Sequence, residues 1–204
     1  MTISSILNYI DWGHLRLPES ARPYVWSTRQ VLKLFNSLYC DYPVGTLIVW
    51  DTDYTTTATR GAKPSPTGPV ELLIDGQQRI TSIYAVARGR MPYFAEGDVD
   101  AFPRVHFNVE TEAFQFYTAT MQADPCWIDL SALFTRGHYD FEALTALATH
   151  SPEGLATASR YLLRLNRLRA ILDTDIYVEY LPRDTAIIDI GEIYHLANAR
   201  GSRE

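Results

Sequence analysis

The stretch that most constrains this chain is residues 70–89. There an apolar run, Val70-Glu71-Leu72-Leu73-Ile74, meets Asp75-Gly76 and passes without a spacer into apolar positions Ile80, Ile83, Tyr84 and Ala87, stopping at Gly89. A short apolar run ending in a turn pair reads as a buried strand, and apolar residues recurring at three and four positions read as the inner stripe of a helix. With only Asp75-Gly76 between them, strand and helix are joined by a tight turn.

Other segments supply partners for this junction. Ser27 followed by Gln30 has the form of a capping box, and Val31, Leu34, Phe35 and Leu38 extend a helical stripe over 28–40. Tyr42-Pro43-Val44-Gly45 breaks it, and the compact run 46–50 reads as a second buried strand. Residues 51–69, rich in Thr, Gly and Pro, read as a long exposed loop. Segments 104–108 and 113–117 flank Val109-Glu110-Thr111-Glu112 as an antiparallel hairpin. Helices are predicted over 138–149 and 156–172, a strand over 176–181, and a last helix from near Asp189. No internal repeat appears. A chain of 204 residues fits a single domain spanning 1–204. The expected fold class is α+β: a small mixed sheet with flanking helices and an appended helical segment.

Composition narrows the function classes. With 47% apolar and 21% charged residues the chain should fold. No apolar run approaches the roughly 18–20 residues needed to span a bilayer, and residues 1–11 lack the pattern of a signal peptide, so no membrane partner and a cytoplasmic location are expected. Eighteen basic against twenty-four acidic side chains give a net charge of −6, which repels nucleic acid overall and makes any DNA contact local. Cys40 and Cys126 lie far apart and read as buried reduced thiols, not as a disulfide or zinc site. His14, His106, His138, His150 and His195 are scattered without metal-ligand spacing, so no protein-only metal site is expected. No nucleophile elbow is present, and Asp124, Asp129, Glu110 and Glu112 read as solvated carboxylates. Arg160, Arg164 and Arg167 form a basic helical stripe, which reads as a solvated face with local ion pairs in preference to a phosphate contact.

Two segments carry chemistry. In Asp75-Gly76-Gln77-Gln78-Arg79, Asp75 is expected to cap the helix and Gly76 permits close backbone approach, while the free N–H groups of the first turn make an anion site with Arg79 one turn in. A Walker A loop is absent. The second segment, Leu17-Pro18-Glu19-Ser20-Ala21-Arg22-Pro23-Tyr24-Val25-Trp26, places Arg22, Tyr24 and Trp26 on one face of an extended chain. That suits either an anion and base pocket or a hydrophobic staple for the next helix.

Together with Tyr42-Pro43-Val44-Gly45-Thr46, these segments resemble the N-terminal domain of GmrSD-type and SspE-type modification-dependent restriction systems. That family carries an isoleucine-proline-x-phenylalanine-glutamine-arginine-x-tyrosine-valine-tryptophan segment, a tyrosine-proline-isoleucine-glycine-serine turn and an aspartate-glycine-glutamine-glutamine-arginine motif, in this order. Ile193-Tyr194-His195-Leu196-Ala197-Asn198 is a weaker match to a terminal isoleucine-phenylalanine-x-arginine-isoleucine-asparagine segment. Ser20-Ala21 departs from phenylalanine-glutamine, and Leu196-Ala197 from arginine-isoleucine. The resemblance implies a ParB/sulfiredoxin-like fold and a module that binds and hydrolyses a nucleoside triphosphate with Mg²⁺ while sensing modified DNA, coupled to a C-terminal nuclease domain or partner subunit. It implies catalytic roles for Asp75, Gln77 and Gln78, nucleotide binding by Arg22, Gly45, Thr46, Gly76, Arg79 and Thr81, and DNA sensing by Tyr24 and Trp26. The alternative is a non-catalytic, nucleotide-switched DNA-binding or clamp module.

Overall fold

The computed structural model describes residues 1–53, 59–61, 69–95, 104–136, 142, 146 and 153–199. Within them the junction at residues 70–89 forms as the sequence predicts. Strand β3 (Pro69–Asp75) leads through Gly76 into helix α3 (Gln77–Arg88), which ends at the left-handed Gly89. Burial explains its length, since the α3 stretch from Ile80 to Ala87 is wholly buried.

A four-stranded mixed sheet is built around β3. Its order is β1 (Leu15–Arg16), β3, β2 (Leu47–Asp53) and β7 (Val178–Leu181), with β3 antiparallel to β2 and parallel to β1. The ladder consumes both ends of the stretch expected to be one loop over 51–69: β2 runs on to Asp53 and β3 starts at Pro69. A second, antiparallel sheet has the order β5 (Ala113–Phe116), β4 (Val105–Asn108), β6 (Trp127–Asp129). Its β4–β5 hairpin is the predicted one, closed where Asn108 Oδ1 accepts the N–H groups of Glu110 and Thr111.

The first sheet is covered unequally. Leu15, Leu47, Val49 and Leu73 face the main core, shared with α1 (Ile3–Trp12), α2 (Thr28–Tyr39), α3, α4 (Leu130–Arg136) and α5 (Gly154–Ala170). Trp50, Leu72 and Ile74 alternate to the opposite face, where only Ile190 of α6 (Ile187–Ala199) completes the group of buried residues. The aromatic cluster of Phe35, Tyr39, Phe107 and Phe114 joins α2 to the second sheet, with ring centroids 4.9–6.4 Å apart.

The α+β class is as expected. Helix α2 begins with the predicted box, Gln30 Oε1 accepting the Ser27 N–H at 2.9 Å. The helix predicted over 156–172 starts two residues earlier and tightens into a 3-10 turn at Ile171–Asp173. The predicted strand over 176–181 is shortened to β7, and the last helix starts at Ile187. Most of the helix predicted over 138–149 lies outside the described residues, as do His138 and His150. Cys40 and Cys126 are free thiols, half-buried where full burial was expected.

Candidate functional site

The 75–79 segment is the hub of a polar assembly that draws three parts of the chain together. Gly76, not Asp75, occupies the N-cap of α3, at φ 91°, and no side chain caps that terminus. This corrects the expectation that Asp75 caps the helix. Asp75 ends β3, and its carboxylate pairs with the Arg79 guanidinium at 3.2 Å, one helical turn on.

Arg79 reaches further. Its Nη1 donates to the Val44 carbonyl at 2.6 Å and its Nη2 to the Thr46 carbonyl at 2.7 Å. Gly45 and Gly76 shape the slot for this fork. A Cβ on Gly45, at φ 90°, would stand 2.6 Å from Arg79 Nη1, and one on Gly76 would stand 2.2 Å from a Leu47 methyl and 3.2 Å from Arg79 Nη2. Burial lowers the pKa of Arg79 and the neighbouring Asp75 works against that shift. The cation is thus held in place by protein groups on several sides.

Gln78 ties down the second segment. Its Oε1 accepts from the Val25 N–H at 2.8 Å and the Trp26 N–H at 3.3 Å, while its Nε2 donates to the Pro23 carbonyl at 3.1 Å. One turn later Ser82 Oγ donates to the Gln78 carbonyl, leaving its lone pairs to accept from the Tyr24 hydroxyl at 2.8 Å. Burial raises the Tyr24 pKa and the Ser82 bond opposes it. Gln77 is buried and donates to the Leu73 carbonyl.

The structure therefore unites Asp75, Gly76, Gln78, Arg79, Gly45 and Thr46 with the 22–26 segment. It sets Thr81 apart, buried within α3. Tyr24 and Trp26 are half-buried, and Trp26 packs against the main core, as a staple does. Arg22 differs from its neighbours: its side chain is exposed and makes no hydrogen bond or ion pair among the described residues. Its backbone N–H donates to Tyr194 Oη of α6 at 3.0 Å.

Tyr194 also lines a cavity of about 610 Å³ under α6, bounded by Pro18, Glu19, Ser20, Trp50, Leu72 and Ile74 on one side and by Ile187, Ile190, Gly191 and His195 on the other. That is a volume suited to a small ligand, with apolar walls and a few polar groups. Ser20 contributes only a small side chain to this lining. Sequence reading missed Ser82, which was legible because it follows Gln78 by one helical turn; it met Tyr194 only within the weaker terminal match and did not foresee its bond to residue 22, which spans 172 residues.

Among the described residues no group of three or more His, Cys, Asp or Glu side chains is placed to hold a metal, and no helix is long and apolar enough to cross a membrane. No curated protein matches the chain. The family model described as GmrSD restriction endonuclease, N-terminal domain, matches residues 3–203, and with nearly its whole length matched the chain belongs to that family.

Proposed function

We propose that this domain of a restriction protein binds and hydrolyses a nucleoside triphosphate and that its nucleotide state is tied to the sensing of modified DNA. The observation that carries this reading is Arg22: an exposed guanidinium, without a bonded partner among the described residues, on a segment wired through Gln78 to the glycine-led start of α3. The first N–H groups of a helix favour an anion, and a guanidinium is a good phosphate fork. In this reading Arg22 and the amides of Gln77 and Gln78 hold phosphate oxygens, while Arg79, from within its slot, keeps the 44–46 turn and Asp75 in position. The apolar cavity beside Ser20 is the natural receiver for a modified base, with Tyr24 and Trp26 stiffening the segment that leads to it.

Mg²⁺ is commonly held by one or two carboxylates together with substrate phosphates and water. Asp75, the one carboxylate of the 75–79 segment, has one oxygen paired with Arg79, and its other oxygen would hold an ion arriving with the triphosphate, which would supply neutralisation of phosphate charge.

The test is calorimetry and phosphate release with each of the four ribonucleoside triphosphates and Mg²⁺. Loss of one charge-assisted contact in Arg22→Ala should weaken binding by about 1.5–3 kcal/mol with the fold intact. Unchanged affinity removes Arg22 from the site. A second reading, the non-catalytic nucleotide-switched DNA-binding or clamp module, is favoured by one observation: Gln77, Gln78 and Arg79 already spend side-chain hydrogen bonds on the protein itself. Nucleotide binding without phosphate release selects that reading.

A further inference from the structure

The 22–26 segment is fastened from two sides that belong to different layers. Gln78 and Ser82 of α3 hold Pro23, Tyr24, Val25 and Trp26 from the main-core side. Tyr194 of α6 holds the Arg22 backbone from the far side of the sheet. The ring of Tyr194 packs with the small second core and lines the cavity, so one side chain faces both the cavity and the segment that carries the Arg22 cation.

We propose that Tyr194 is a positioning residue through which the occupancy of the cavity under α6 sets the backbone of Arg22, and with it the grip on the nucleotide. The proposal rests on the reading that Arg22 contacts phosphate. A hydroxyl accepting a backbone N–H at 3.0 Å limits where residue 22 can go. When a group enters the cavity and shifts α6, that constraint shifts too, because Tyr194 cannot move without moving its partner or losing it.

Gly191 offers a way to occupy the cavity without an identified ligand. It shares the lining stripe with Ile187, Tyr194 and His195, spaced at helical intervals, and a Cβ built on it meets no atom within 4 Å. Gly191→Leu therefore puts a side chain into open space while replacing a poor helix former by a good one, so the variant should fold.

The experiment measures nucleotide affinity by calorimetry in Tyr194→Phe, Gly191→Leu, these two changes together, and each of the two combined with Arg22→Ala, together with amide exchange at Arg22. Tyr194→Phe deletes only the hydroxyl. It should weaken nucleotide binding by about fivefold, the worth of one ordinary hydrogen bond, and speed exchange of the Arg22 amide. In the Arg22→Ala background the same change should move affinity by less than about twofold, because an effect exerted through a side chain disappears with it. Gly191→Leu should alter affinity when Tyr194 is present and have no effect in Tyr194→Phe. Equal losses with and without Arg22, or a Gly191→Leu effect indifferent to Tyr194, overturn the proposal while leaving nucleotide binding intact. Wild-type protein that binds none of the four triphosphates overturns the underlying reading, and is recognised before any variant is made.

Discussion

At the scale of single residues the site is organised by Arg79, whose guanidinium joins Asp75 to two carbonyls of the 44–46 turn. A lysine keeps the charge, but its three donors radiate from one nitrogen and cannot reproduce the planar two-nitrogen fork that spans these acceptors. Arg79→Lys should therefore lower stability by about 1.5–3 kcal/mol in urea denaturation, because buried acceptors are left without donors. Wild-type-like unfolding would show that the fork does not hold the turn. Gly45→Ala should also destabilise, by at least about 1 kcal/mol, since its Cβ meets both a left-handed backbone and the Arg79 guanidinium. The presence of a polar hub was legible in the sequence as a run of hydrogen-bonding residues between apolar elements. Its direction was not. Arg79 turns to a segment 33–35 residues away and Gln78 to one 52–55 residues away, and spacing alone says nothing about which strand brings such partners near. The cap was misassigned for a local reason: Gly76 takes the left-handed conformation at the N-cap, which leaves Asp75 in the strand.

Among the elements, α5 settles how its arginine stripe is used in this structure. Arg164 donates to the Val109 and Glu110 carbonyls at 2.8 Å and pairs with Glu112 at 2.8 Å; Arg160 pairs with Glu110 at 3.3 Å; Arg167 lies over the Tyr39 ring at 4.5 Å. Arg164→Ala should cost about 1.5–3 kcal/mol by denaturant titration, whereas the exposed pair at Arg160 should contribute less than about 1 kcal/mol. Similar small effects at both would return Arg164 to an ordinary solvated face. The stripe was legible because its partners lie on a hairpin that the sequence also marks. Helix α1 was equally legible, since Ile3, Ile6, Leu7 and Ile10 recur at three and four positions and Thr2 caps it, but residues 1–11 were weighed only as a leader. Strands β1 and β6, two and three residues long, are too short to show any periodicity. Only their neighbours define them.

For the molecule as a whole, three buried tyrosines link stability to alkaline pH. Tyr39 and Tyr84 donate to Glu112 and Asp11 at 2.6 and 2.7 Å, and burial, followed by these carboxylates, raises their pKa values. Tyr161 is pushed up to about 12, by burial first and then by its bond to Glu110. Because the folded values exceed the unfolded value of about 10, this contribution is complete below about pH 10 and is lost as pH rises through the folded values. Denaturation midpoints should fall across that range, in step with phenolate absorbance. Tyrosines titrating near pH 10 with flat midpoints would contradict the linkage. The unequal cover of the first sheet has a different consequence. Helix α6 is seated through its own Ile190 on three buried side chains of the sheet, Trp50, Leu72 and Ile74, while α3 lies within the large core, so the two helices should open on separate energy scales. Amide exchange should find α6 detaching in a partial unfolding event that leaves α3 protected. In that event the indole of Trp50 would be uncovered, making tryptophan fluorescence a reporter of a helix that leaves and reseats while the rest of the fold stays closed.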